Sequence, residues 1–224
     1  MSVLYDLLVQ GGVFVIPIVC CSVIALGFFV ERMLYLRPHY IIPEPVVVAI
    51  QQQLEQDQLD EADRLCQKSN APIARVLREG IRYAGRPREL IVAVMEEAGG
   101  REVALMRRYT LALGAIATIS PLLGLLGTVV GMIAMFQSVV VSAAENAAGP
   151  DVAALANGIW QALITTAAGL TVAIPVFLAH RFTLGRIDRL TLRIEEIGRR
   201  AIEYLVDPND TPTLQPPDPL REEA

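Results

Sequence analysis

Three long stretches of the chain contain no charged side chain, and polar segments separate them. The charge-free stretches run over 7–30, 109–144 and 152–179, and they are 24, 36 and 28 residues long. A helix needs about 20 mostly apolar residues to cross the hydrocarbon core of a bilayer. Each stretch therefore predicts one membrane-spanning helix. The 36-residue stretch has no clear break apart from Pro121, so it is interpreted as a single crossing.

The polar segments also have helical patterns. Val46, Val47, Ile50 and Leu54 recur at spacings of three and four, as in an amphipathic helix. Residues 31–108 contain twelve acidic and twelve basic side chains, a mixture that is typical of solvated helix faces.

Proline positions predict where the longer helices begin and end. Pro87 suits the first turn of a helix, and because the next proline is Pro121, one helix is predicted to run from 87 into the second span. The third span is predicted to continue to about residue 205 and to stop at Asp207-Pro208. The tail 207–224 holds five of the 14 prolines and is predicted to be disordered.

Composition supports a membrane protein. Hydrophobic residues make up 53% of the chain, charged residues 19%, and the mean hydropathy is +0.44. Soluble domains carry about 25% charged residues. The net charge of −5 gives no basic surface for nucleic acid. The three cysteines form no CxxC motif, so neither a disulfide framework nor a zinc site is indicated.

The basic residues predict the orientation. Twelve of the 19 Lys and Arg residues lie in 31–108, and the other seven lie in 181–224. Basic segments stay on the cytoplasmic side of a membrane. Three crossings then place the N-terminus outside and both basic regions in the cytoplasm.

The predicted fold is an all-α membrane protein with three transmembrane helices, the second and third extended into a cytoplasmic helical bundle. The predicted segments are an N-terminal segment with the first span (1–37), a cytoplasmic helical region (38–108), the second span (109–144), a periplasmic loop (145–151), the third span (152–180), a cytoplasmic helix (181–206) and the tail (207–224).

Candidate chemistry inside the spans is limited to hydroxyls, amides and small residues. The charge-free stretches contain no His, so no metal site, cofactor site or catalytic acid–base pair is predicted there. Thr128 and Thr166 lie near the centres of the second and third stretches, each on a stripe of small residues, and Gln161 and Thr165 form a neighbouring polar stripe. These stripes fit either close helix packing or a narrow polar pore. The glycines assigned to packing are Gly124, Gly127, Gly131, Gly158 and Gly169.

Two motifs in sequence order make the chain recognisable. The segment SPLLGLLGTVVGMIAMF (120–136), followed by GIWQALITTAAGLTVAIP (158–175), resembles the ExbB/TolQ/MotA family of ion-driven motor stator proteins. The first span, QGGVFVIPIVCCSVIALGFFVERMLYL (10–36), is similar to that of the ExbB/TolQ branch. The resemblance covers about 1–205.

The resemblance implies a bacterial inner-membrane protein that is not an enzyme and that energises an outer-membrane process such as TonB-dependent import. It implies a homopentamer around a single-span ExbD/TolR-like partner whose membrane aspartate carries a proton, with a TonB- or TolA-like protein as a further partner. Thr128 and Thr166 match the family's pore-lining threonines, and Gln161 and Thr165 are assigned to the same path. Relatives often carry a glutamate at the position of Gln161, whose amide does not titrate near neutral pH.

Two other hypotheses remain. The first is a membrane scaffold without an ion path, in which the small-residue stripes only pack. The second is an intramembrane protease, which needs a nucleophile beside a base; Ser120 has no histidine partner within the charge-free stretches.

Overall fold

The computed structural model describes residues 13–145 and 152–206, and within them the regular secondary structure is helical. The predicted loop 145–151, beyond its first residue, the tail 207–224 and the start of the N-terminal segment lie outside the described residues. The helices are α1 (Val15–Tyr35), α2 (Pro38–Ile41), α3 (Glu44–Glu55), α4 (Leu59–Lys68), α5 (Pro72–Arg82), α6 (Arg88–Arg107), α7 (Thr110–Glu145) and α8 (Val152–Leu205).

Three of these helices are long and apolar enough to cross a membrane. The spans are Val15–Tyr35, Thr110–Val141 and Leu155–Leu205, in α1, α7 and α8. They confirm the predicted all-α fold with three apolar helices. The third span also continues without interruption to Leu205, as predicted, so that α8 is 54 residues long.

The second span differs from the prediction. One unbroken helix from 87 was expected, but α6 ends at Arg107, residues 108–109 form a turn, and α7 begins at Thr110. The turn contains neither proline nor glycine, so the local sequence does not mark it. A helix end leaves backbone carbonyls without helical partners, and here the Arg32 guanidinium donates to the Met106 carbonyl at 3.1 Å.

Proline starts several helices, because its ring fixes φ near the helical value and the first turn needs no N–H donor. Pro38 and Pro72 are the first residues of α2 and α5, and α6 begins one residue after Pro87. The predicted start at Pro87 is therefore confirmed to within one residue.

The chain divides into two units. The membrane unit comprises residues up to 36 and 106–187, and the polar unit comprises 37–105 and the residues from 188 onward.

In the membrane unit, α1 packs against α7. Ala25, Leu113, Ala117 and Val176 form a buried cluster, in which the two alanines allow close contact between helices. Large apolar side chains such as Leu111 and Val140 are 76% and 69% exposed. Such a surface suits lipid or further subunits rather than water.

Arginines tie together one end of the membrane unit. Arg32, only 3% exposed, pairs with Glu31 and lies over the rings of Tyr35 and Tyr109 at 4.9 and 4.8 Å. Arg186 of α8 donates to the Leu36 carbonyl at 2.8 Å, just after α1. The hydrogen bonds from Arg32 to the Met106 carbonyl and from Arg186 to the Leu36 carbonyl connect the three spans at one end. We call this end of the membrane unit the arginine-bearing end.

The polar unit has its own core. Ile50, Ile73, Leu77 and Ile91 are completely buried. Most of its charged side chains are exposed, as the mixed-charge pattern predicted.

Two ion pairs of the polar unit connect different helices. Arg75 of α5 binds Glu102 of α6 through two bonds of 2.6 Å, and Arg78 binds Asp63 at 3.0 Å. Glu102 is only 7% exposed, so this pair fixes α5 against α6. The prediction of solvated charged faces is wrong for Glu102, which is buried, whereas Arg75 is exposed.

Candidate functional site at the seam between α7 and α8

At Gly124 and Gly169, the backbones of α7 and α8 lie close to each other. We call this contact the seam, and its core residues are Ser120, Gly124 and Gly127 on α7 and Thr165, Thr166 and Gly169 on α8. A Cβ on Gly169 would stand 2.7 Å from the Ser120 carbonyl oxygen and 3.1 Å from the Gly124 Cα. A Cβ on Gly124 would stand 3.1 Å from the Thr166 Cα. The seam at this level therefore accepts only glycine, because backbone cannot move aside as a side chain can.

The other glycines assigned to packing differ in what they face. A Cβ on Gly127 would collide with the Thr165 methyl group. One on Gly158 would meet the Met135 Cγ at 2.9 Å. Gly131 has room, since its Cβ would lie 3.5 Å from that of Ala162, an ordinary van der Waals distance. Gly127 and Gly131, which are four residues apart on α7, are thus not equivalent.

The four polar side chains assigned to the ion path have different partners. The Thr166 hydroxyl donates across the seam to the Gly124 carbonyl at 3.1 Å. Thr128 donates to Leu125 at 2.7 Å and Thr165 to Gln161 at 3.0 Å, both carbonyls of the threonine's own helix. Thr165 is buried, Thr128 and Thr166 are half-buried, and Gln161 is exposed. The structure thus brings Thr165 and Thr166 to the seam and leaves Gln161 outside it within this chain.

The seam offers hydroxyls and backbone carbonyls but no group that titrates near neutral pH. Along the apolar part of the three spans the side chains carry no charge. No cluster of three His, Cys, Asp or Glu side chains able to hold a metal ion occurs in the described residues. The side chains of the seam therefore offer hydrogen-bonding groups but none that takes up a proton near neutral pH.

Sequence reasoning missed two features of the membrane unit. Ser120 is fully buried, its hydroxyl donates to the Ile116 carbonyl at 2.8 Å, and its own carbonyl faces Gly169. The Arg32 cluster was also missed. Its only sequence signals are a Glu-Arg pair directly after a charge-free stretch and tyrosines near two helix ends.

Comparison with known proteins decides the family. The profile of the MotA/TolQ/ExbB proton channel family matches residues 68–196, more than half of the chain. The chain belongs to the MotA/TolQ/ExbB proton channel family. The match contains the whole seam and confirms the resemblance found from the two motifs. This is a family of proton channel proteins rather than of enzymes.

The names of individual relatives are consistent with this family. The ExbB homologue of Methanothermobacter thermautotrophicus, named as a biopolymer transport protein, is 31% identical over 191 residues, which cover 85% of this chain and 66% of that protein. This chain thus spans just under two thirds of that relative. The ExbB-like 3 protein of Synechocystis sp. is 29% identical over 87% of this chain and 91% of its own length. The Tol-Pal system protein TolQ of Haemophilus influenzae is 36% identical over 46% of this chain and 40% of its own length.

Proposed function

We propose that this protein is the multi-span subunit of a proton-motive-force-driven complex of the bacterial inner membrane. Five copies surround a single-span ExbD/TolR-like partner, whose membrane aspartate carries the proton. Proton passage moves the partner, and the partner delivers work to an outer-membrane process such as TonB-dependent import, through a TonB- or TolA-like protein. Family membership supports this proposal. The observation that carries it for this chain is a close, hydroxyl-bearing seam without a titratable group, which leaves the proton-binding step to a partner.

In this proposal Thr128 and Thr166 line the ion path at mid-membrane, with Gln161 and Thr165 beside them. The half-exposed state of Thr128 and Thr166 in a single chain leaves their surfaces free to face a central partner. A hydroxyl can both donate and accept a hydrogen bond, so it can hold water for a passing proton. The buried glycines keep the helices close enough to form this surface.

Replacing Thr166 with valine should separate ion passage from packing. Valine keeps the size of threonine but removes the hydroxyl that bonds to the Gly124 carbonyl, so the complex should assemble while proton-coupled activity falls about tenfold. Native mass spectrometry checks assembly, and an energy-coupled import assay checks activity. Thr171→Val is the matched control, because the exposed Thr171 donates to the Ala167 carbonyl of its own helix.

The alternative function is a non-conducting scaffold. It predicts wild-type activity for Thr128→Val, Thr166→Val and the double variant, since a scaffold needs the shape of these side chains but not their hydroxyls. That result would remove the ion path from the proposal.

The proposed orientation places 145–151 outside and the polar unit in the cytoplasm. A cysteine at Asn146, which lies outside the described residues, should react with an impermeant thiol reagent in cells with a permeabilised outer membrane. A cysteine at the exposed Gln67 should not react. The reverse pattern would contradict the orientation.

The natural cysteines determine the background for this labelling. Cys20 and Cys21 lie in α1 and are replaced by serine in every test protein. Cys66 can stay, because burial, together with the neighbouring Asp63 carboxylate, raises the pKa of its thiol to about 12. The thiol is therefore protonated at neutral pH, and a protonated thiol is a poor nucleophile.

A further inference from the structure

One titratable side chain of the membrane unit has no role in the function proposed above. His180 directly follows the charge-free stretch 152–179 on α8 and is half-buried. The other histidine of the chain, His39, belongs to the polar unit and is exposed. Histidine is the side chain that ordinarily gains and loses a proton near neutral pH.

His180 lies on the contact between α7 and α8 that contains the seam. Its Nε2 is the ring atom nearest to Gly114 of α7, 3.0 Å from where a Cβ on that glycine would stand. His180 follows Thr166 by 14 residues, which is about 21 Å and almost four whole turns of helix. Both side chains are thus on nearly the same side of α8 and both face a glycine of α7, Gly124 for Thr166 and Gly114 for His180.

A buried hydroxyl without a partner lies one turn from this glycine. Thr110 is 2% exposed, and its Oγ1 has no hydrogen-bond partner within the described residues. Thr110 and Gly114 are four residues apart and share one side of α7. A buried hydroxyl without a partner is costly, and an ordered water is the group that most often satisfies it. An imidazole and a buried hydroxyl without a described partner thus lie at the same end of the α7–α8 contact.

The charged groups at this end are mostly cationic. Arg107 and Arg108 precede Thr110, and Arg108 lies over the Tyr109 ring at 5.2 Å. Arg181 follows His180 and lies over Phe177 at 5.8 Å.

The carboxylate at this end of α1, Glu31, is paired with Arg32. No described hydrogen bond or ion pair joins a carboxylate to His180. Within the described residues, no ion pair with a carboxylate would retain a proton on this imidazole.

We propose that His180 is the proton-release group at the arginine-bearing end of the path, with a water held by Thr110 as its neighbour. The inference rests on the proposed function, which supplies the proton from the partner's carboxylic acid through water. The imidazole Nε2 accepts that proton, so that an N–H bond forms as an O–H bond of a protonated water breaks. The imidazolium then gives a proton to bulk water and returns to its neutral form. No electron is transferred.

The test uses the complex of this chain with its single-span partner in liposomes, and it measures proton flux against the pH on the arginine-bearing side. His180→Gln should lower flux about tenfold or more and change how flux depends on the pH of the arginine-bearing side. His39→Gln is the matched control and should behave as wild type. Thr110→Val, which replaces the unpaired hydroxyl by a methyl group, should leave assembly intact and lower flux.

Chemical rescue separates proton transfer from a structural role. Imidazole added on the arginine-bearing side should restore flux to His180→Ala, because a small buffer can take the proton in place of the missing ring. Flux is expressed per assembled complex, so a loss of assembly does not count as a loss of transfer.

Unchanged flux and pH profile in His180→Gln, or a defect that imidazole does not relieve in His180→Ala, would overturn the inference while leaving the proposed function standing. Absence of partner-dependent flux in the wild-type complex would instead overturn the proposed function.

Discussion

Replacing Gly169 with alanine should break the seam. The added methyl group would stand 2.7 Å from the Ser120 carbonyl oxygen and 3.1 Å from the Gly124 Cα, so the backbones of α7 and α8 must separate. Overpacking typically costs about 1–3 kcal/mol, and we expect the upper end of that range because no side-chain rotamer can relieve the contact. The thermal midpoint of the purified complex should fall sharply, and energy-coupled activity should be lost.

Two other glycine-to-alanine changes serve as controls. Gly131→Ala places a methyl group 3.5 Å from the Ala162 Cβ, and Gly27→Ala has nothing within 4 Å. Both variants should keep the wild-type thermal midpoint. If Gly169→Ala were as stable as these controls, the close seam would not exist in the assembled protein.

The sequence indicated which residues could lie at a close helix contact, but it did not indicate which two helices meet there. Small residues at spacings of three and four mark the side of a helix that can approach another backbone. Gly124, Thr166 and Gly169 were assigned to stripes in this way, and the structure places all three in the seam. The end of α8 at Leu205 was also predictable, because Asp207-Pro208 follows it.

What could not be predicted depends on the exact register between helices. Gly127 and Gly131 look alike in sequence, yet only Gly127 faces the Thr165 methyl group. The bond from Thr166 to the Gly124 carbonyl requires the same register. The turn at 108–109 is held by Arg32, 74 residues before Met106 in the chain. The residues around the turn do not indicate a contact with a side chain so distant in the sequence.

A second large effect is expected when proton flux is compared with and without the partner. This chain alone, reconstituted in liposomes, should carry no specific proton flux, and addition of an ExbD/TolR-like partner should create it. The reason is that the charge-free stretches of this chain contain no titratable side chain, while a bare charge in hydrocarbon is expensive. Moving one charge through 100 mV yields about 2.3 kcal/mol, so each proton that crosses can drive a conformational step.

Two variants define where the proton binds. Changing the partner's membrane aspartate to asparagine should abolish flux, because the amide cannot titrate near neutral pH. Gln161→Glu should leave the complex assembled, since Gln161 is exposed and lies outside the seam within this chain, and should shift the pH dependence of flux. Loss of assembly in Gln161→Glu would show that this position packs against another subunit.

The most direct test of the central claim compares proton flux, at one imposed voltage, from liposomes that contain this chain alone and from liposomes that contain the chain with its partner. If the partner's aspartate binds the proton, the chain alone should show background flux, and specific flux should appear only with the intact partner. Specific flux from the chain alone would contradict this claim, because protons would then have a path that needs no carboxylate from the partner.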